Sequence, residues 1–144
     1  MINDPLCFLD SNVWLYRLTT DPNYNEAIEV RKRYIAIELT NNVNGIVSTQ
    51  VINETCSVLL RKAAFTEEQI QQVIQSFYNR VAVVKLTSDI LINAFNLRTR
   101  YSLSFWDGLI VATALSTNAK ILYSEDMQDN LVIERQLTIV NPFK

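Results

Sequence analysis

Four acidic residues, far apart in the chain, stand where carboxylates can do chemistry: Asp10, Glu54, Asp107 and Asp126. Asp10 closes the short apolar run Leu6-Cys7-Phe8-Leu9, the pattern of a strand buried on both faces. Glu54 lies one and a half turns into a helix expected from about Thr49 to Lys62. Asp107 is the only charged side chain between Arg100 and Lys120. It heads the apolar run to Leu115, which has the evenness of a helix buried on most sides. Asp126 belongs to Ser124-Glu125-Asp126-Met127-Gln128-Asp129, the densest acidic cluster of the sequence, directly after the strand-like Ile121-Leu122-Tyr123.

Each of these positions also has a plain structural reading. Ser104 and Asp107 have the spacing of a capping box near the positive end of a helix dipole. Asp10 or Ser11 can cap the helix that follows, Glu54 can sit on a solvated helix edge, and 124–129 can be a polar loop. The composition narrows what the set could do. The chain has no histidine, which excludes Ser-His-Asp and Cys-His catalysis within it and removes the commonest zinc ligand. Cys7 and Cys56 sit in apolar surroundings as small core residues. Hydrolytic chemistry here must rest on carboxylates, and carboxylates alone favour hard cations such as Mg²⁺ or Mn²⁺.

The elements that must position these residues follow from periodicity. Strands are expected at 6–9, 46–48, 81–84, 120–123 and 137–140, with helices between them. Long crossovers imply a mainly parallel five-stranded sheet with helices on both faces, an α/β sandwich of three layers. In such a sheet, strand C-termini and the N-termini of the next helices share one edge. The four carboxylates therefore converge on one edge, where they would raise one another's pKa unless cations stand among them. Asn23 with Glu26 predicts a helix start, and Ala27, Val30, Tyr34 and Ile37 its buried stripe, with Glu29 and Lys32 on the solvated face. Trp14 and Trp106 are expected in the core.

The 144 residues suit a single domain over 1–144. The net charge of −2 gives no global pull toward nucleic acid, so any such binding needs a local basic rim or bound cations. No apolar run approaches the roughly 18 uncharged residues of a membrane span, and the first residues lack a secretory pattern, so a cytoplasmic protein is expected.

Phe8-Leu9-Asp10-Ser11-Asn12-Val13, Ser48-Thr49-Gln50-Val51-Ile52-Asn53-Glu54, Ser104-Phe105-Trp106-Asp107-Gly108-Leu109-Ile110 and Leu122-Tyr123-Ser124-Glu125-Asp126-Met127 resemble the four acidic motifs of PIN-domain nucleases, above all the bacterial VapC-type toxins of toxin–antitoxin pairs. The resemblance spans nearly the whole chain, in order. It implies a Rossmann-like PIN sandwich and an Mg²⁺- or Mn²⁺-dependent endoribonuclease. It also implies a cognate antitoxin and a homodimer. By position, Asp10 and Asp107 would bind metal directly, and Glu54 and Asp126 directly or through water. Ser11, Asn12, Ser104 and Glu125 would support them, whereas Asp129 fits a solvated loop. RNA would be held by Arg17, Arg61, Lys62, Arg98 and Arg100, with Tyr16, Tyr101 or Trp14 available for stacking. Two other readings stand beside this one. One is a PIN-like interaction or RNA-binding module without catalysis, against which the retention of all four acids argues. The other is a metal-dependent DNA nuclease, against which the lack of a long helical arch argues.

Overall fold

Apolar runs too short to be helices become strands, and the amphipathic stretches between them cross over to make their pairing parallel. In the computed structural model, which describes residues 4–144, the order is β1 (Leu6–Leu9), α1 (Ser11–Leu18), α2 (Glu26–Asn42), β2 (Asn44–Ser48), α3 (Thr49–Lys62), α4 (Glu67–Arg80), β3 (Ala82–Val84), α5 (Ser88–Tyr101), α6 (Phe105–Ser116), β4 (Ile121–Tyr123), β5 (Val132–Ile133) and β6 (Leu137–Val140). The sheet order is β3-β2-β1-β4-β6-β5. All pairings are parallel except β5 with β6. Phe8 lies in register between Ile46 and Leu122, at the centre of the core. Helices α1 to α4 pack together as one layer and α5 with α6 as the other, as right-handed crossovers require. No helix among the described residues is long and apolar enough to cross a membrane.

The five expected strands are present, and a sixth, β5, joins them. Its hairpin turn places Glu134 and Arg135 at positive φ (52° and 56°), closed by the Gln136 N–H to the Ile133 carbonyl at 2.9 Å. Two left-handed residues in a two-residue loop define the turn that Asn-Gly usually makes. Glu-Arg carries no such signal, and the turn is held from outside, where the Tyr101 hydroxyl accepts the Glu134 N–H and Arg100 pairs with the Glu134 carboxylate.

Helix α2 departs from expectation on two counts. Its N-cap is Asn25, whose side chain accepts the Ile28 N–H, and not Asn23, which sits in the preceding turn. Its inward face is Glu29, Ala36 and Thr40, while Ala27, Val30 and Tyr34 face solvent and Ile37 is only partly covered. Polar anchors decide the rotation of this helix. Glu29 accepts the Asp21 N–H at 2.7 Å, Thr40 accepts from Arg17 at 2.9 Å, and Lys32 reaches Glu125 at 2.5 Å.

Candidate active site

The connection from β1 leads to β2 on one side, while β4 flanks β1 on the other, so the crevice beyond these two strand ends is the switch point of the sheet. The Asp10 N–H donates to the Tyr123 carbonyl at 3.0 Å, fastening the two strand ends together. Asp10 then caps α1: one carboxylate oxygen accepts the Ser11 N–H at 2.7 Å, and the other accepts the Ser124 hydroxyl at 2.8 Å. The side chain is buried, and burial, partly offset by these bonds and reinforced by Asp126 and Asp107, pushes its pKa up to about 6.

Asn12 links the two strand ends. Its amide nitrogen donates to Asp10 at 3.3 Å, to Ser124 at 3.4 Å and to Asp126 at 3.2 Å. Its oxygen accepts the Glu125 N–H at 3.1 Å. Ser124, fully buried, accepts the Asp126 N–H at 3.2 Å and so sets the turn that presents Asp126. Ser124 holds this place without having been assigned it from sequence. Its signal was there to find: a hydroxyl directly after a buried strand and two residues before an acid.

Glu54 arrives from α3, which Ser48 caps by accepting the Val51 N–H. One of its oxygens is buried without a hydrogen-bond partner. Desolvation, with Asp10, Asp107 and Asp126 nearby and a bond from Gln50 opposing, pushes its pKa up to about 7. Asp107 comes from the first turn of α6, where Ser104 accepts its N–H at 3.1 Å. Desolvation raises its pKa, Ser104 lowers it and Asp126 raises it further. The cap and the acid-pocket reading of Asp107 thus coexist.

The four carboxylates do not form a ready-made cage, since among the described residues no group of three or more His, Cys, Asp or Glu stands as a metal-holding set. The donor chemistry nevertheless fits a hard divalent cation. The donors are all oxygen, two carboxyls are held well above their usual range, and one Glu54 oxygen is an orphaned acceptor.

The other expected site residues divide. Ser11 contributes its backbone N–H to Asp10. Glu125 turns out of the pocket: its carboxylate is taken by Lys32 at 2.5 Å and by the Tyr16 hydroxyl at 2.6 Å, and only its N–H serves Asn12. Asp129 closes the C-terminal loop by accepting the Asn141 N–H, which lowers its pKa, and faces Lys144. Of the five expected RNA-binding cations, Arg61 alone lines the groove beside Glu54. Arg17 bonds Thr40 and Asn41, at the edge where the strands begin. Lys62 borders a separate hollow beside α1. Arg98 lies over the Phe105 ring at 4.6 Å, and Arg100 is paired with Glu134. Trp14 is core, edge-on to Phe77, whereas Trp106 is 60% exposed, against expectation. Tyr16 is held by Phe143 and Lys32, and Tyr101 by Glu134, so neither is free to stack.

The sequence matches the family model of the PIN domain over residues 7–131, a span that contains all four carboxylates. The chain belongs to the PIN-domain family. No curated protein matches it by sequence. Similar solved structures include a toxin–antitoxin complex from Klebsiella pneumoniae (TM-score 0.68, 18% identity, covering 94% of this chain and 97% of that one). They also include Mycobacterium tuberculosis VapC20, a sarcin–ricin loop cleaving toxin (0.64, 17%, 83% and 91%), and VapBC2 from Rickettsia felis bound to a DNA fragment from their promoter (0.58, 19%, 94% and 99%). At these identities the likeness is one of fold. In this PIN domain Asp10 and Asp126 follow the adjacent strands β1 and β4, while Glu54 and Asp107 lie on α3 and α6.

Proposed function

We propose that this PIN domain is a divalent-metal-dependent endoribonuclease, a VapC-type toxin acting in the cytoplasm and restrained by a cognate antitoxin. The observation that carries the reading is the convergence of Asp10, Glu54, Asp107 and Asp126 on one crevice, where burial and neighbouring carboxylates raise the pKa values of Asp10, Glu54 and Asp107. A cluster of this kind costs stability unless it binds positive charge. Bound there, Mg²⁺ or Mn²⁺ would polarise a phosphoryl oxygen, lower the pKa of a water and stabilise the departing 3′-oxygen.

The side chains divide the remaining work. Asp10 and Asp107 would hold the cation, with Glu54 and Asp126 completing the donor set. Glu54, with its unpartnered oxygen and raised pKa, is suited to accept a proton from the attacking water. Asn12 and Ser124 fix Asp10 and Asp126 relative to each other. Ser104 and the buried body of α6 hold Asp107 in place. RNA is favoured as substrate by the likeness to VapC20, a sarcin–ricin loop cleaving toxin.

Exposed apolar faces give room for protein partners. Tyr24, Ile28, Val30 and Tyr34 lie on α2 and the loop before it, and Leu91, Ile92 and Phe95 on α5. One face would take an antitoxin segment and the other a second copy of the chain. Incubation of purified protein with RNA tests the enzymatic reading. Cleavage is expected to stop with EDTA and return with Mn²⁺ or Mg²⁺, and cleavage that persists through chelation refutes it.

A further inference from the structure

Beside the carboxylates a groove of about 700 Å³ runs from Glu54 along α3 toward the edge strand β3. Its walls are Gln50, Asn53, Arg61, Lys85 and Trp106, over a floor that includes Leu86 and Leu109. Arg61 lies seven residues beyond Glu54, two turns along one face of α3 and about 10 Å along the axis. Lys85 follows β3 directly, at the sheet edge that also carries the acids. Arg61 touches the Ser57 hydroxyl at 3.2 Å, and neither Arg61 nor Lys85 makes an ion pair among the described residues. Other cations of the chain are spent on fixed partners: Lys32 on Glu125, Arg100 on Glu134, Arg17 on Thr40 and Asn41.

Trp106 lines the same groove as these cations and Glu54. Its backbone carbonyl accepts from the Gln50 amide at 3.3 Å, which ties the head of α6 to α3. Its ring is set edge-to-face with Phe105 at 5.0 Å, and Phe105 is braced in turn by Arg98. The indole is thus oriented yet 60% exposed. A rigid aromatic face flanked by unpaired cations matches what unpaired nucleotides require: stacking for a base and positive charge for the backbone. Arg61 and Lys85 carry the positive charge that a nucleotide backbone needs and that the apolar stripe of a partner helix would leave unpaired.

We propose that this groove is the single-strand subsite of the enzyme, in which Trp106 stacks on an unpaired base beside the scissile phosphate while Arg61 and Lys85 hold the next two phosphates along. This rests on the ribonuclease reading for what lies at the acidic end.

The probe is a single-stranded oligoribonucleotide titrated, in Mg²⁺, against protein carrying Asp126→Asn to suppress cleavage. Quenching of tryptophan fluorescence is expected, and Trp106→Phe should remove the quench while keeping affinity within about threefold. Trp106→Ala should weaken binding about tenfold or more. Arg61→Ala with Lys85→Ala should lower the slope of log affinity against log salt by about 1.4, the value for two phosphate contacts to a single strand. Matching melting curves verify that each variant is folded. Unchanged affinity in Trp106→Ala, or an unchanged slope in the double variant, overturns the proposal. So does loss of antitoxin capture with RNA binding intact, which makes the groove a protein interface. If the expected losses appear but the unmutated protein cuts no RNA with either metal, the subsite stands and the ribonuclease reading falls.

Discussion

Asn12 shows how much of the pocket depends on one neutral side chain. Its amide spans Asp10, Ser124 and Asp126 and also accepts the Glu125 N–H, so it holds two carboxylates at a fixed separation without adding charge. Asn12→Ala should lower kcat by on the order of 100-fold, the cost of a misplaced catalytic group. Its cost in stability should be only about 1 kcal/mol. Steady-state kinetics and a denaturant titration on the same preparation check both. A fall in activity no larger than the fall in folded fraction would contradict this role. Asp10, Asp107 and Asp126 were legible from sequence because they follow a strand or open a helix, and Glu54 because it lies in the front half of one, positions that this fold brings to one edge. The fates of Glu125 and Trp106 were not. Glu125 is claimed by Lys32 from α2, a residue expected on that helix's solvated face. Trp106 reads as core by type but lies in the first turn of α6, where it is left 60% exposed.

Helix α6 is buried along most of its length and is uncharged after Asp107, so it serves as the anchor for that carboxylate. Its contact with α5 depends on Gly108, where an added methyl would come within 2.5 Å of the Arg98 Cγ atom. Gly108→Ala gains about 1 kcal/mol of helix propensity but forces overpacking that costs about 1 to 3 kcal/mol. The net expectation is destabilisation of up to about 2 kcal/mol, read as a lower denaturant midpoint, and a raised midpoint would show that Arg98 yields freely. At this scale the sequence was most informative where the periodicity had one answer. The bounds of α3 and the cap of α6 at Ser104 are as expected. It misled in α2, where the apolar stripe faces outward and buried polar bonds set the rotation. It also failed at β5, whose turn is held by Tyr101 and Arg100 from another element.

Across the whole molecule, charge and exposed apolar surface set the behaviour. Asp10 and Glu54 titrate near 6 and 7 in the fold, above the usual 3.8 and 4.5 of the unfolded chain. The folded state therefore binds more protons between these values, so this stability is fully present below about pH 4 and lost as pH rises through 6 and 7. For buried Asp10 the loss is on the order of 3 kcal/mol, and half-buried Glu54 adds less. Metal-free protein should thus melt at a lower temperature at pH 8 than at pH 5.5, and Mn²⁺ should restore the difference at pH 8. A melting temperature that neither falls with pH nor responds to Mn²⁺ would contradict the acid-pocket account. The apolar face of α5 makes a separate prediction: Ile92→Glu, at a position 64% exposed, should leave the fold intact and convert a dimer to a monomer by light scattering. A wild-type protein that is already monomeric at micromolar concentration would rule that face out. The most direct test of the central claim is RNA cleavage by Asp107→Asn beside the wild type in saturating Mn²⁺, with melting curves in hand. The account predicts a variant that folds at least as stably without metal, because one repelling charge is gone, and that cuts RNA at a rate near background. A folded Asp107→Asn protein that cleaves RNA at the wild-type rate would contradict it.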